Sequence, residues 1–248
     1  MEKYFGINFK FNRLEIHKLI NKQILEKQTS YVCVVDGNVV AHSFKNPEYK
    51  KVLNNSLLNL CDGSSIALIA GLIHDKKLEV YTGPEIFLKY SKENYRQCLI
   101  GNTQENLAKI KNKMSSLDLN LDLFKFIPLP FKEVENFDYI SISKEVNVFK
   151  PDIIWVSLGA PKQEYFISKL SPLIVQGVLF AIGAAFNFFL GEKKKENPKI
   201  EKYNLIWLSR MLKEPKRIGG RALGYLFLLP KLIIHEIKNK KKQDETIG

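Results

Sequence analysis

Runs of apolar residues alternate along the chain with amphipathic stretches, each run ending in a small polar turn. Tyr31–Val35 (YVCVV) is continuous and apolar and stops at Asp36-Gly37-Asn38, which predicts a fully buried strand entering a turn. Asn46-Pro47-Glu48 then opens a helix, with Asn as N-cap, Pro at the first helical position and Glu in the first turn. Tyr49, Val52, Leu53, Leu57 and Leu60 mark its apolar face. Cys61-Asp62-Gly63-Ser64 interrupts it, and Ile66–Ile73 resumes helical character. Leu78–Tyr81 reads as a short strand and Pro84–Tyr90 as a helix after Thr82-Gly83.

The same logic repeats. Gln97–Ile100 predicts a strand, Gly101-Asn102 a turn, and Thr103 the cap of a helix whose face is Leu107, Ile110 and Met114. Leu121–Phe126 reads as a strand and Asp138–Phe149 as a helix. Asp152–Leu158 (DIIWVSL) is a strong buried strand, Gly159-Ala160-Pro161 turns into a helix from Lys162 to Leu170, and Val178–Ile182 is a further strand. Strands alternating with helices indicate an α/β fold, a Rossmann-like parallel sheet with flanking helices. Residues 1–192 form the expected α/β body, with two sub-lobes at about 1–95 and 96–192 as an alternative division.

After Gly191 the character changes. Residues 193–242 hold 15 Lys/Arg against 4 Asp/Glu, a net of +11 out of +12 for the whole chain. Residues 193–248 are therefore read as a basic, helical C-terminal appendage. Ile200–Leu212 is helical, Pro215 ends or offsets that helix, and Leu223–Ile237 resumes after Gly219-Gly220. Lysine and arginine interleave there with Trp207, Met211, Tyr225, Phe227 and Leu228, which suits a surface lying on an anionic membrane. The plainer alternative is a helical pair packed on the body with a solvated charged face.

Leu173–Gly191 is about long enough to span a bilayer, but Gln176, Gly177, Gly183 and Asn187 interrupt it, so a strand and a turn are expected instead. The start, MEKYFGINFKFNRLE, has acidic residues and no apolar core, so no secretory signal is expected. Cys33, Cys61 and Cys98 sit in apolar runs and form no CxxC pair, which fits reduced core thiols. His17, His42, His74 and His235 show no metal spacing. Neither GxGxxG nor a P-loop nor a GxSxG elbow occurs.

Gly159-Ala160-Pro161-Lys162-Gln163-Glu164 follows a buried strand and opens a helix, the position where open α/β sheets bind ligands. The helix N-terminus suits a phosphate, and Gln163 and Glu164 can hydrogen-bond a sugar or base. Ile100-Gly101-Asn102-Thr103 is a second such junction. Asp62 is a carboxylate in a loop between two apolar helices, able to act as a base or merely to cap a turn. Asp36 and Asn38 are equally open.

Taken together, these segments resemble the WecG/TagA/CpsF glycosyltransferases (glycosyltransferase family 26). Pro151–Glu164 (PDIIWVSLGAPKQE) is close to the family's "PDxxxVxLGxPkQE", and Ile182–Gly191 resembles its "VGgaFDflaG". Trp207, Arg210, Glu214-Pro215 and Arg217 resemble "EWlyRlxxEPxR", Asp62-Gly63 its "pDG", and Thr82-Gly83 its "TG". The chain departs from the pattern with Asp36-Gly37-Asn38 for Thr-Pro-Asn, Glu85 and Asn187 for Asp, Ile206 for Glu, and Leu129-Pro130-Phe131 for "GYF".

The resemblance implies an inverting hexosyltransferase that moves a sugar from a UDP-sugar donor to a sugar on a polyprenyl diphosphate, in cell-surface polysaccharide or teichoic acid synthesis. It implies Asp62 as catalytic base, with Gly101, Gly159, Pro161, Gln163 and Asn187 on the donor side. Asp36, Asn38, Arg210, Arg217 and Arg221 fall to the acceptor or the diphosphate. No cofactor and no metal are expected. The expected location is cytoplasmic, peripheral on the inner face of the cell membrane, with a homo-oligomer left open. Two other classes compete: a non-catalytic peripheral membrane or scaffold protein with the same fold, and a nucleic-acid binder using residues 193–242. The second is weaker, because that segment is rich in Leu and Ile and carries no reading module, so no nucleic-acid partner is expected.

Overall fold

A computed structural model gives the fold of residues 1–191 and 215–247; in the second segment, side chains are described at 224–242 and 245. Eight strands form one sheet: β1 (Glu2–Tyr4), β2 (Ile7–Phe9), β3 (Thr29–Val35), β4 (Leu58–Cys61), β5 (Gln97–Gly101), β6 (Phe124–Ile127), β7 (Ile153–Ser157) and β8 (Gly177–Ala181). Their spatial order is β1-β2-β4-β3-β8-β7-β5-β6. All neighbours are parallel except the β1–β2 hairpin, so the fold is a mostly parallel, Rossmann-like α/β sheet.

Two helical layers cover it, and side-chain alternation along the strands assigns the cores. Tyr31, Cys33 and Val35 of β3 and Ile154 and Val156 of β7 point to one face. There they meet α2 (Gly37–Lys45), α3 (Pro47–Asn54), α4 (Ser64–His74), α7 (Tyr139–Phe149), α8 (Lys162–Leu170) and α10 (Pro215–Ile247). Val32, Val34, Ile153 and Trp155 point the other way, to α1 (Arg13–Leu25), α5 (Gly83–Tyr90), α6 (Gln104–Ser115) and α9 (Ala185–Leu190). Trp155 anchors this second core. It is fully buried, edge-on to Phe87 at 5.2 Å, and its Nε1–H donates to Gln97 at 2.8 Å. Each large apolar side chain buried in this way contributes about 1.5–3 kcal/mol.

Several expectations hold. Asn46 and Thr103 cap α3 and α6 through their side chains, and the helix read over Asp138–Phe149 is α7, with Asp138 as its cap. The three cysteines are buried and free. Leu173–Gly191 contains β8 and the short α9, and no described helix is long and apolar enough to cross a membrane.

Others are corrected. Asp36-Gly37-Asn38 is not a plain turn: Asp36 is the N-cap of α2, its Oδ1 accepting the Val39 N–H at 2.9 Å. α3 stops at Asn54, and Leu58–Cys61 is a strand paired to β3 and β2. Leu57 and Leu60 continue the helical spacing by coincidence, so the period alone does not separate this short strand from the helix before it. Leu78–Tyr81 pairs with no described strand; the Tyr81 N–H reaches back to the Cys61 carbonyl at 2.9 Å. Only the second half of Leu121–Phe126 is extended, after a 3₁₀ turn at Leu121–Leu123.

The expected helix at 200–212 lies outside the described residues. α10 is described from Pro215 onward and continues through Gly219-Gly220 and Pro230; the helix that Pro215 would end or offset lies outside the described residues. The stretch Tyr225–Lys240 is docked on the body. Tyr225, Leu228, Leu232 and Glu236 are buried. Glu236 accepts from the Phe5 N–H at 2.6 Å and pairs with His74 Nε2 at 2.8 Å, and Lys240 reaches the Ile73 carbonyl at 2.9 Å.

Candidate active site

All the parallel strands end on one edge of the sheet, and the chemistry-bearing turns gather there. β3 and β4 run in register, Val35 beside Cys61, so the next residues on each are Asp36 and Asp62. The Asp62 N–H extends the ladder to the Val35 carbonyl at 3.0 Å. A Cβ on Gly63 would meet the Asp36 Cα and the Gly37 N at 3.2 Å, so the two turns are in backbone contact. Two half-buried aspartates therefore leave adjacent strand ends side by side. Asp62 thus follows a strand, not a helix, which fixes its backbone more tightly than a helix–helix loop would.

A third turn orients the Asp62 carboxylate. Its Oδ1 accepts the Gly83 N–H at 2.9 Å. Gly83 begins α5 under a capping box formed by Thr82 and Glu85. It also lies against the Ile182 carbonyl, which a Cβ there would approach to 3.1 Å. So the Thr82-Gly83 turn carries the end of β4 across to the end of β8.

On the far side, β5 ends at Gly101 and β7 at Ser157, just before the turn that holds Gly159. Gly101 has φ of +96°, and a Cβ there would strike the Ser157 carbonyl at 2.7 Å. Gly159 has φ of +77°, and among the described residues nothing lies within 4 Å of a Cβ built there and no side chain caps the N-terminus of α8 behind it. Pro161 and Asn187 are half-buried on the same edge, at the starts of α8 and in α9.

Gln163 and Glu164 sit differently from expectation. Gln163 is 3% exposed, and its Oε1 accepts two backbone N–H groups, from Gly159 at 3.1 Å and Gly183 at 2.9 Å. Glu164 is fully buried, bonded to the Tyr49 hydroxyl at 2.9 Å and to Gln163 Nε2 at 2.9 Å, so it cannot reach a sugar or base as the sequence suggested. Burial pushes its carboxyl up to about 7, although its hydrogen bonds to Gln163, Tyr49 and its own backbone N–H favour the ionised form; nearby Asp36 adds to the rise.

The sequence reading missed how α10 meets this edge. The Tyr225 ring lies over Gly37, and its hydroxyl bonds Ser65 Oγ at 3.0 Å, beside the Asp62-Gly63 turn. The signal was present as a glycine directly after Asp36 and as Ser64-Ser65 after Gly63, but nothing local pairs either with residue 225. Asn38 is half-buried in the first turn of α2. Arg217 and Arg221 lie on α10 about two turns and one turn before Tyr225, and Arg210 lies outside the described residues. Two surface grooves, of about 580 and 480 Å³, lie apart from Asp62. One is by Arg96 and α7; the other, between α1 and α5, backs the Thr82-Gly83 turn. The chemistry favours the strand-end edge over either groove, because carboxylates, glycine turns and a helix N-terminus converge there and nowhere else among the described residues.

Among known families, the glycosyl transferase WecG/TagA/CpsF family matches residues 3–245. The chain belongs to this family of glycosyltransferases. It is 25% identical over 223 residues to the N-acetylglucosaminyldiphosphoundecaprenol N-acetyl-β-D-mannosaminyltransferase of Bacillus subtilis, covering 87% of this chain and 83% of that one. It is 23% identical to the protein of the same name from Staphylococcus aureus, covering 86% and 85%. In this glycosyltransferase the segments that resemble the family's motifs, Asp62-Gly63, Thr82-Gly83, Pro151–Glu164 and Ile182–Gly191, each include a turn on the one sheet edge.

Proposed function

We propose that this glycosyltransferase moves a hexose from a UDP-sugar to a sugar carried on a polyprenyl diphosphate, inverting the anomeric centre, at the inner face of the cell membrane. The acceptor class is supported by the names of the relatives above. The observation that carries the reading is the Asp62 carboxylate, held by the Gly83 N–H on the ligand-binding edge of the sheet, across from the open turn at Gly159.

In the reaction, an acceptor hydroxyl oxygen attacks the donor C1 from the face opposite the nucleotide. The C1–O bond breaks, UDP leaves with the electron pair, and Asp62 takes the hydroxyl proton. The uncapped N-terminus of α8, with Gly101, Gly159 and Pro161, suits the diphosphate. Gln163 serves the donor by shaping the turns around it, and Asn187 lies beside it. Asp36 and Asn38, at the start of α2, stand on the acceptor side. Arg210, Arg217 and Arg221 are assigned to the charge on the diphosphates. The transfer is proposed to need no metal, since the sequence has no D-x-D.

The membrane role rests on the outer face of α10. Phe227, Ile234 and Ile237 are 80%, 54% and 40% exposed, and Lys231, Lys238 and Lys241 stand exposed among them. This is the composition of a surface that lies in a lipid interface.

The test is a panel of UDP-sugars with a prenyl-diphosphate sugar, detecting product by mass and UDP release. The wild type forms a lipid-linked product with and without EDTA, and Asp62→Asn slows it at least about a hundredfold. Full activity in that variant removes Asp62 from the base role. Vesicle binding without transfer from any donor favours a scaffold instead.

A further inference from the structure

Gln163 and Glu164 open α8, yet both turn inward, where an amide and a carboxyl are costly unless fully partnered. They are partnered in a single chain. The Tyr49 hydroxyl donates to Glu164 Oε2, Gln163 Nε2 donates to Glu164 Oε1, and the N–H groups of Gly159 and Gly183 converge on Gln163 Oε1. Gly159 belongs to the turn after β7 and Gly183 to the turn after β8. One amide oxygen therefore ties together two neighbouring strand-end turns that the sheet itself no longer joins.

This clamp works in one orientation only. Turned over, the Gln163 amide would set its NH₂ against two N–H donors and lose both bonds. The two glycine N–H groups oppose that rotation from one side, and the partner on the other side opposes it from the second. Ionised, Glu164 only accepts hydrogen bonds; protonated on Oε2, toward Tyr49, it keeps Oε1 as an acceptor, so in either form it draws the NH₂ to itself and leaves the oxygen for the glycines. Its second oxygen is fixed by Tyr49 on α3, which sets the carboxylate plane.

We propose that Glu164 is a positioning residue for the transfer: it fixes the Gln163 amide with its oxygen toward Gly159 and Gly183, and so holds the two turns in register around the donor. The word "donor" rests on the glycosyltransferase reading; the clamp rests on the geometry alone.

The experiment compares four variants of the full chain with wild type: Glu164→Leu, Glu164→Gln, Gln163→Glu, and the last two substitutions together. Glu164→Leu keeps bulk and loses the acceptor. Glu164→Gln keeps an acceptor for Gln163 and a partner for Tyr49. The exchange Gln163→Glu with Glu164→Gln rebuilds the chain with the central bond reversed, since residue 164 then donates and residue 163 still accepts from both glycines. The readouts are amide hydrogen exchange at Gly159 and Gly183, melting temperature, and donor KM and kcat. Glu164→Leu is expected to lower protection at both glycines and raise donor KM, each about tenfold, with kcat within about threefold. Glu164→Gln keeps wild-type protection, donor KM and kcat, and the exchanged pair keeps wild-type protection at both glycines, while Gln163→Glu alone loses it as Glu164→Leu does.

Unchanged protection at the two glycines in Glu164→Leu overturns the proposal, as does a Glu164→Gln protein as impaired as the leucine variant. If Glu164→Leu does not fold, Gln163→Glu against the exchanged pair decides: lost protection that the exchange restores supports the clamp, and no restoration overturns it. If the wild type transfers no sugar, the functional reading falls, and the exchange data still settle the clamp.

Discussion

The Tyr225 ring lies so close to Gly37 that a Cβ on that glycine would sit 2.8 Å from Tyr225 Cζ. Residue 225 belongs to the C-terminal helix, and residue 37 starts the helix that Asp36 caps. The contact brings the end of the chain onto the strand-end edge, with the Tyr225 hydroxyl bonded to Ser65.

Gly37→Ala should therefore push α10 away from α2 although alanine suits a helix better than glycine. Overpacking of this kind costs about 1–3 kcal/mol. Chemical unfolding and limited proteolysis within 215–247 should show lower stability and faster cleavage. Wild-type values in both would mean that the ring yields without loss.

Farther along α10, Glu236 is 1% exposed and serves both His74 and the Phe5 N–H. Glu236→Ala leaves the two partners without an acceptor in the core. We expect a loss of about 3 kcal/mol, as for other broken buried pairs. Urea unfolding measures it, and a change under about 0.5 kcal/mol would show that water replaces the carboxylate.

Glu164 makes stability depend on pH. Its carboxyl is raised to about 7 in the fold, chiefly by burial, against an ordinary 4.5. Between those values the folded chain keeps a proton that the unfolded chain has released, so this group's contribution is fully present below about 4.5 and is lost as pH rises through about 7. Glu164→Gln removes the titration. Its stability relative to wild type should improve by about 3 kcal/mol between about pH 5 and pH 8, following the size of the shift. Parallel stability curves for the two proteins across that range would refute the shift.

The outer face of α10 gives a prediction independent of catalysis. Lys231→Glu with Lys238→Glu should weaken binding to vesicles containing phosphatidylglycerol by at least about tenfold, at about 1 kcal/mol per basic residue. Both lysines are exposed, so the melting temperature should hold. Equal binding by variant and wild type in a flotation assay would remove this face from membrane contact.

Much of the fold was legible in the sequence where one signal was strong by itself. YVCVV and DIIWVSL could be nothing but buried strands, and Asn46, Thr103 and Pro161 marked helix starts that the structure keeps. The errors came where a segment was too short to show its period. Leu58–Cys61 has four residues and was absorbed into the preceding helix. Leu78–Tyr81 has strand-forming residues and no described strand to pair with.

The sequence by itself determined the layered α/β class, the cationic C-terminal fifth, and the residues from which a glycosyltransferase site is proposed, because apolar period, charge and motif order are properties of neighbours along the chain. Only the tertiary structure decided which of those residues face a ligand and which face the core. Glu164 follows Gln163 in the same helical turn, yet it is sealed beneath Tyr49, 115 positions away in sequence. Tyr225 looked like part of a lipid-facing run and is instead packed on Gly37 and Ser65. Such assignments depend on which distant segments fill the space beside a strand end, and packing of that kind leaves no periodic trace in the local sequence.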